Sequence, residues 1–194
     1  LRIEGLEPRL ALSALPVVVT ELMYHPLAPT GQEQAAGWKE DDFEFVELEN
    51  VGTQKASLAG VSLTDGIDFT FGAADFEPGE HIVVVKNLQA FQSRYAAGAR
   101  IAGEYGGSLS NSGERIKLED GSGAVLLDFE YKDGWCPTTD GGGYSLVIVD
   151  PHGLPAEWGL RTAWRASNRL GGSPGWDDGP LDVTPPATPQ GVSA

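Results

Sequence analysis

Glycine and proline set the tightest limit on this chain. Its 26 glycines and 13 prolines make up 39 of 194 residues. In a helix interior glycine costs about 1 kcal/mol and proline about 3 kcal/mol, so long helices do not carry such a load. Short strands joined by tight turns do, because turns need the backbone angles these residues supply. The apolar runs at 17–19 and 82–85 are only three or four residues long. A membrane helix needs about 20. A single cysteine, Cys136, excludes a disulfide within the chain. Thirteen Lys and Arg against 28 Asp and Glu leave a net charge of −15. Affinity for nucleic acid comes mainly from cations on phosphates, so a generic nucleic-acid surface is excluded. The chain opens on Leu1 with no basic-then-apolar leader, and it reads as an excerpt of a longer protein.

The pattern along the chain predicts eight or nine short strands. Residues 17–23 form a first strand, stopped by His25-Pro26. Residues 30–40 read as a loop, and 43–50 as a second strand. Its apolar residues change phase between Phe45 and Val46, which predicts a bulge or burial on both faces. Asp65-Gly66 is a hairpin turn into Ile67, Phe69 and Phe71, which alternate with Asp68 and Thr70. Residues 82–85 follow the Pro78-Gly79 turn. Asn87 is placed to cap one short helix, with Leu88, Phe91 and Tyr95 on a single face. Asp120-Gly121 joins a strand through Ile116 and Leu118 to one through Leu127 and Phe129, and 144–149 is the last clear strand. This is an all-β pattern suited to an antiparallel sandwich over 15–178 with one short helix. Its expected core is Val18, Leu22, Val46, Leu48, Phe69, Val84, Ile116, Phe129 and Leu146. Residues 1–14 form a lead-in, and 179–194 a Pro-rich linker.

Several ordered segments resemble one family. Thr20-Glu21-Leu22-Met23-Tyr24-His25-Pro26 resembles the first strand of the lamin-tail domain in its bacterial form. Glu44-Phe45-Val46-Glu47-Leu48-Glu49-Asn50 resembles its second strand. Leu109-Ser110-Asn111-Ser112-Gly113-Glu114-Arg115, Asp140-Gly141-Gly142-Gly143-Tyr144-Ser145-Leu146 and Ser173-Pro174-Gly175 follow in the family's order. The resemblance implies an immunoglobulin-like β-sandwich without catalysis. It also implies an accessory part of a large secreted or surface protein. Residues 190–194 resemble the opening of a fibronectin type III module, which would make such a module the neighbour in the same chain.

Gly171-Gly172-Ser173-Pro174-Gly175 fits G-x-S-x-G, but a nucleophile elbow uses the backbone N–H after the serine, and Pro174 has none. It reads as a turn. His25, His81 and His152 are too far apart in sequence for a zincin-type helix site and read as loop histidines. Cys136 reads as a partly buried loop thiol. Glu21 and Glu47 stand inside apolar strands, as outward-facing or hydrogen-bonded acids. Glu40, Asp41, Asp42 and Glu44 are the densest acid run and the candidate ligands for Ca²⁺, which favours six to eight oxygens. Trp135, Tyr144, Trp158, Arg161 and Arg165 are the candidate ligand-binding residues, as stacking surfaces and anion or glycan contacts.

The function expected from these features is a non-catalytic structural or interaction module of a larger secreted or cell-surface multidomain protein. Its partner would be a protein or polysaccharide surface, with no nucleic acid and no membrane insertion. The alternative is a carbohydrate-binding module using loop aromatics. Two coplanar exposed Trp would favour the alternative. A closed pocket with a perturbed acid pair would favour an enzyme.

Overall fold

The computed structural model describes residues 16–95 and 98–180. The expected lead-in, and the linker and module start beyond residue 180, lie outside the described residues. In chain order the elements are β1 (Val17–Met23), α1 (Gly31–Ala35), β2 (Phe45–Asn50), β3 (Ala56–Ser57), β4 (Ser62–Thr64), β5 (Ile67–Thr70), β6 (Asp75–Phe76) and β7 (His81–Val85). There follow α2 (Leu88–Arg94), β8 (Ile101–Glu104), β9 (Gly106–Gly107), β10 (Arg115–Glu119), β11 (Val125–Glu130), β12 (Leu146–Ile148) and β13 (Trp164–Ala166). One sheet runs β13-β12-β1-β2-β7-β8, the other β11-β10-β4-β5-β9, and β3 pairs with β6. The fold is an immunoglobulin-like β-sandwich. No helix among the described residues is long and apolar enough to cross a membrane.

Side chains from both sheets meet in one core. Leu22, Val46, Leu48, Val84, Ile116, Phe129 and Leu146 are buried there as expected. Val18 and Phe69 are half-buried and pack against it. In β1 the register shifts between Val19 and Glu21, and Val17 and Val19 take the core positions. The Asp65-Gly66 turn has positive φ at both residues (58° and 84°), the twist a two-residue hairpin needs.

The phase change in β2 has its cause on the sheet's outer face. A second apolar cluster lies there, built from Phe45, Val83 and Val85 of the sheet and from Ala90, Phe91 and Tyr95 around α2. Phe45 stands edge-on to Phe91 and Tyr95, with centroids 5.7 and 5.2 Å apart. Strand β2 is therefore buried on both faces. The expected helix is α2, and Asn87 caps it by accepting from Gln89 N and Ala90 N at 3.1 Å.

Three features depart from the expected pattern. The 7–8 pair is parallel rather than antiparallel. A parallel neighbour needs a crossover, and the segment containing α2 supplies it. The stretch read as a loop at 30–40 contains α1, closed by a capping box in which Glu33 N donates to Thr30 Oγ1 and Thr30 N to Glu33 Oε2. Arg94 grips the same Glu33 with Nε and Nη2 at 3.0 and 2.8 Å, which ties this loop to α2. Finally, β12 covers only Leu146–Ile148, and the unexpected β13 follows it at the sheet edge.

Candidate functional site

The half of the outer face that α2 leaves open carries a row of paired positions across the sheet. Cross-strand register runs from Arg165 to Val147, Glu21, Glu47 and Val83. Two carboxylates thus stand side by side on β1 and β2, each 1% exposed. Burial of that kind is costly unless every oxygen finds a donor. Half of the donors come from a strap formed by residues 171–180. Ser173 N donates to Glu21 Oε1 at 2.9 Å and Ser173 Oγ to Oε2 at 3.0 Å. Ser145 Oγ also donates to Oε1. Gly175 N donates to Glu47 Oε2 at 2.5 Å, while Thr20 Oγ1 and His81 Nδ1 donate to Oε1 at 2.8 and 2.9 Å.

This geometry accounts for the Gly-Gly-Ser-Pro-Gly sequence. Pro174 offers no N–H, so the donors flank it, at Ser173 and Gly175. Gly172 has φ +76°, and a Cβ there would meet Glu21 Oε1 at 2.0 Å. The motif is a clasp for two strand acids. No serine in it is freed for nucleophilic attack.

The electrostatics follow from the burial. Glu21 is pushed up to about 8, first by burial and then by the adjacent Glu47 charge; its serine bonds offset only part of this. Glu21 therefore holds its proton at neutral pH. Burial pulls His81 down, but its hydrogen bond to Glu47 and the charges of Glu47, Glu49 and Asp177 outweigh it and raise it. A third acid, Glu44, is buried on its own. It accepts from Tyr105 OH at 2.8 Å and Leu109 N at 2.9 Å, and burial pushes it up to about 8.

Beside the strap lies a cavity of about 340 Å³ lined by Glu47, Glu49, His81, Arg165, Trp176 and Asp177 among others. Trp176 also borders a second groove of about 380 Å³ with Leu27, Leu170 and Pro174. The perturbed acid pair beside a cavity is what an acid–base site would show. Here, however, all four carboxylate oxygens are engaged by the protein itself, and neither side chain is open to a substrate.

A family model for the lamin tail domain matches residues 12–133. The chain belongs to the lamin tail domain family. The match spans β1 to β11 and includes both clasped acids. No curated protein matches the chain. The family is an immunoglobulin-like, non-enzymatic interaction domain. In this lamin tail domain, β12, β13 and the strap lie C-terminal to the matched residues.

The acid run at 40–44 does not converge in the lamin tail domain. Glu40 pairs with His25 Nε2 at 2.7 Å. Asp42 accepts from Lys39 N at 2.7 Å, capping a short 3-10 turn, and from Asn87 Nδ2. Asp41 is exposed and Glu44 is sealed in the interior. Among the described residues no three His, Cys, Asp or Glu side chains are placed to hold a metal ion.

Of the five ligand-binding candidates the structure joins Trp135 to Arg161, without an exposed ring surface. Trp158 is 1% exposed and edge-on to Phe129. Trp135 is buried, and its carbonyl accepts from Arg161 Nε at 2.8 Å. Tyr144 is half-buried. Arg165 sits on the strap side, paired with Asp178 at 2.5 Å. No two of these rings form an exposed stacking surface. Of the five tryptophans only Trp176, one of the loop aromatics the sequence offers for stacking, is exposed. Its position after Pro174-Gly175 was the available signal. Cys136 is half-buried, and burial pushes its thiol up.

Proposed function

We propose that this chain is a non-catalytic interaction module, of the bacterial form of its family, within a larger secreted or cell-surface multidomain protein. The observation that carries this reading is the distribution of exposed apolar side chains. Val149, Leu154, Leu160, Leu170 and Trp176 are 55, 66, 53, 60 and 60% exposed. These are five of the seven large apolar side chains exposed among the described residues, and all five lie after residue 133, beyond the family match; Leu27 and Val125, 40 and 52% exposed, lie within it. Leu170 and Trp176 border the groove at Leu27, and the other three line a second groove of about 230 Å³. Clustered apolar exposure marks interaction surfaces. The matched sandwich serves as scaffold, and the C-terminal part presents these rims to a protein or polysaccharide surface.

The reading is tested in two ways. An antibody to this domain should detect, in the medium or at the cell surface, a polypeptide longer than this chain. Detection in the cytosol alone would overturn the location. The purified chain should hydrolyse no ester, phosphate or glycoside in a substrate panel. Turnover that disappears in Glu47→Gln would make the acid pair catalytic and the module reading wrong.

A further inference from the structure

The cavity beside the strap has carboxylates that its own cations do not balance. Arg165 is committed to Asp178, and His81 to Glu47. Glu49 is half-buried and has no hydrogen bond or ion pair among the described residues. Asp177 accepts only from the backbone N–H of Gly179. The Asp178 side chain is 1% exposed, and its Oδ1 has no partner. Glu49 and Asp177, which make no ion pair among the described residues, and the buried orphan oxygen of Asp178 line a single cavity, in which His81 and His152 also act electrostatically on Glu49.

We propose that this cavity binds an alkylammonium group, the charged end of a free diamine or of a lysine side chain. The acids are not grouped closely enough for any three to hold a metal ion among the described residues. A space of about 340 Å³ instead suits a cation that extends between them. The indole of Trp176, 60% exposed at the same cavity, offers a π face to the charge and an apolar surface to the methylene stem. Burial raises Glu49, so an arriving cation relieves a desolvated carboxylate. The net charge of −15 draws cations toward the whole surface. This inference shares Trp176 with the apolar rims but does not require them to bind a partner.

Calorimetric titration of the full chain at low ionic strength tests it. The probes are cadaverine, N-acetyl-lysine methylamide, pentanediol and magnesium chloride. We expect saturable binding of cadaverine or the lysine derivative, and none of the diol. Glu49→Gln, nearly isosteric and at a half-buried position, should weaken binding by roughly tenfold. Trp176→Ala should weaken it by roughly fivefold. Tighter binding of cadaverine assigns a free amine, and tighter binding of the lysine derivative assigns a protein partner. Binding of neither amine overturns the proposal. So does equal binding of the diol, or affinity unchanged in a folded Glu49→Gln variant. Magnesium binding that is lost in Glu49→Gln would replace it with an inorganic ion site.

Discussion

Replacing Glu21 by Gln should change how stability depends on pH. In the folded chain Glu21 is held up to about 8 from an ordinary value of 4.5. The folded state therefore keeps this proton across a window in which the unfolded chain releases it. Stability from this group is whole below about pH 4.5 and is lost as pH rises to about 8. Each unit of separation is worth about 1.4 kcal/mol, so the window spans on the order of 5 kcal/mol. Glutamine removes the titration and keeps the shape. Its carbonyl can accept from Ser173 N, and its amide can donate to the Ser145 or Ser173 hydroxyl, since hydroxyls act in either direction. At pH 5 the variant should lie within about 1 kcal/mol of wild type. At pH 9 it should be the more stable of the two by several kcal/mol. Glu44, also pushed up to about 8, leaves both proteins with a residual slope of the same sign, and the comparison cancels it. Urea unfolding at four pH values between 5 and 9 gives the answer. A difference between the two proteins that stays constant over that range would refute the shared-burial account of the clasp.

Three further outcomes follow from the same structure. Gly172→Ala places a Cβ 2.0 Å from Glu21 Oε1 at φ +76°, and it should cost about 3 kcal/mol in urea unfolding, with faster proteolysis after residue 170. Asn87→Ala removes the acceptor for two N–H groups of α2 and should cost about 1 kcal/mol by the same assay. Glu33, held down to about 2 chiefly by its hydrogen bond to Arg94, gives stability that is present above pH 4.5 and is lost as pH falls toward 2. Glu33→Gln should flatten that acid limb in a thermal melt series while leaving the limb above pH 6 unchanged.

The sheet strands were legible where local chemistry speaks. Alternation in β5, the Asp65-Gly66 turn and the Asn87 cap each depend on residues within a few positions. Helix α1 is encoded just as locally, in the capping-box spacing of Thr30 and Glu33, but its polar composition reads as a loop and the helix goes unpredicted. Glu21 and Glu47 could be read as hydrogen-bonded strand acids, but not as a pair beneath a strap. Register between strands and a partner 152 residues away leave no trace in local pattern. Parallel β8 falls at the start of a glycine-rich stretch that gives no strand signal. Strand β13 is three residues among Arg and Trp, whose partner Phe129, with its ring 5.1 Å from Trp164, comes from the other sheet. The indoles of Trp135 and Trp158 sit in polar, Gly/Pro-rich stretches that resemble ligand loops, and it is tertiary packing that takes them inside.

Synthesis order gives the clasp a history. Strands β1 and β2 emerge early, while Ser173 follows Glu21 by 152 residues. At ribosomal rates of about 5–20 residues per second the strap arrives roughly 8–30 s later. Until then the two carboxylates lack the strap's donors and its cover. Two anions on an uncovered sheet face discourage a second nascent chain from docking there. When the strap closes, one of them takes up a proton. The same residues thus guard the growing chain as charges and hold the finished one as a hydrogen-bonded acid.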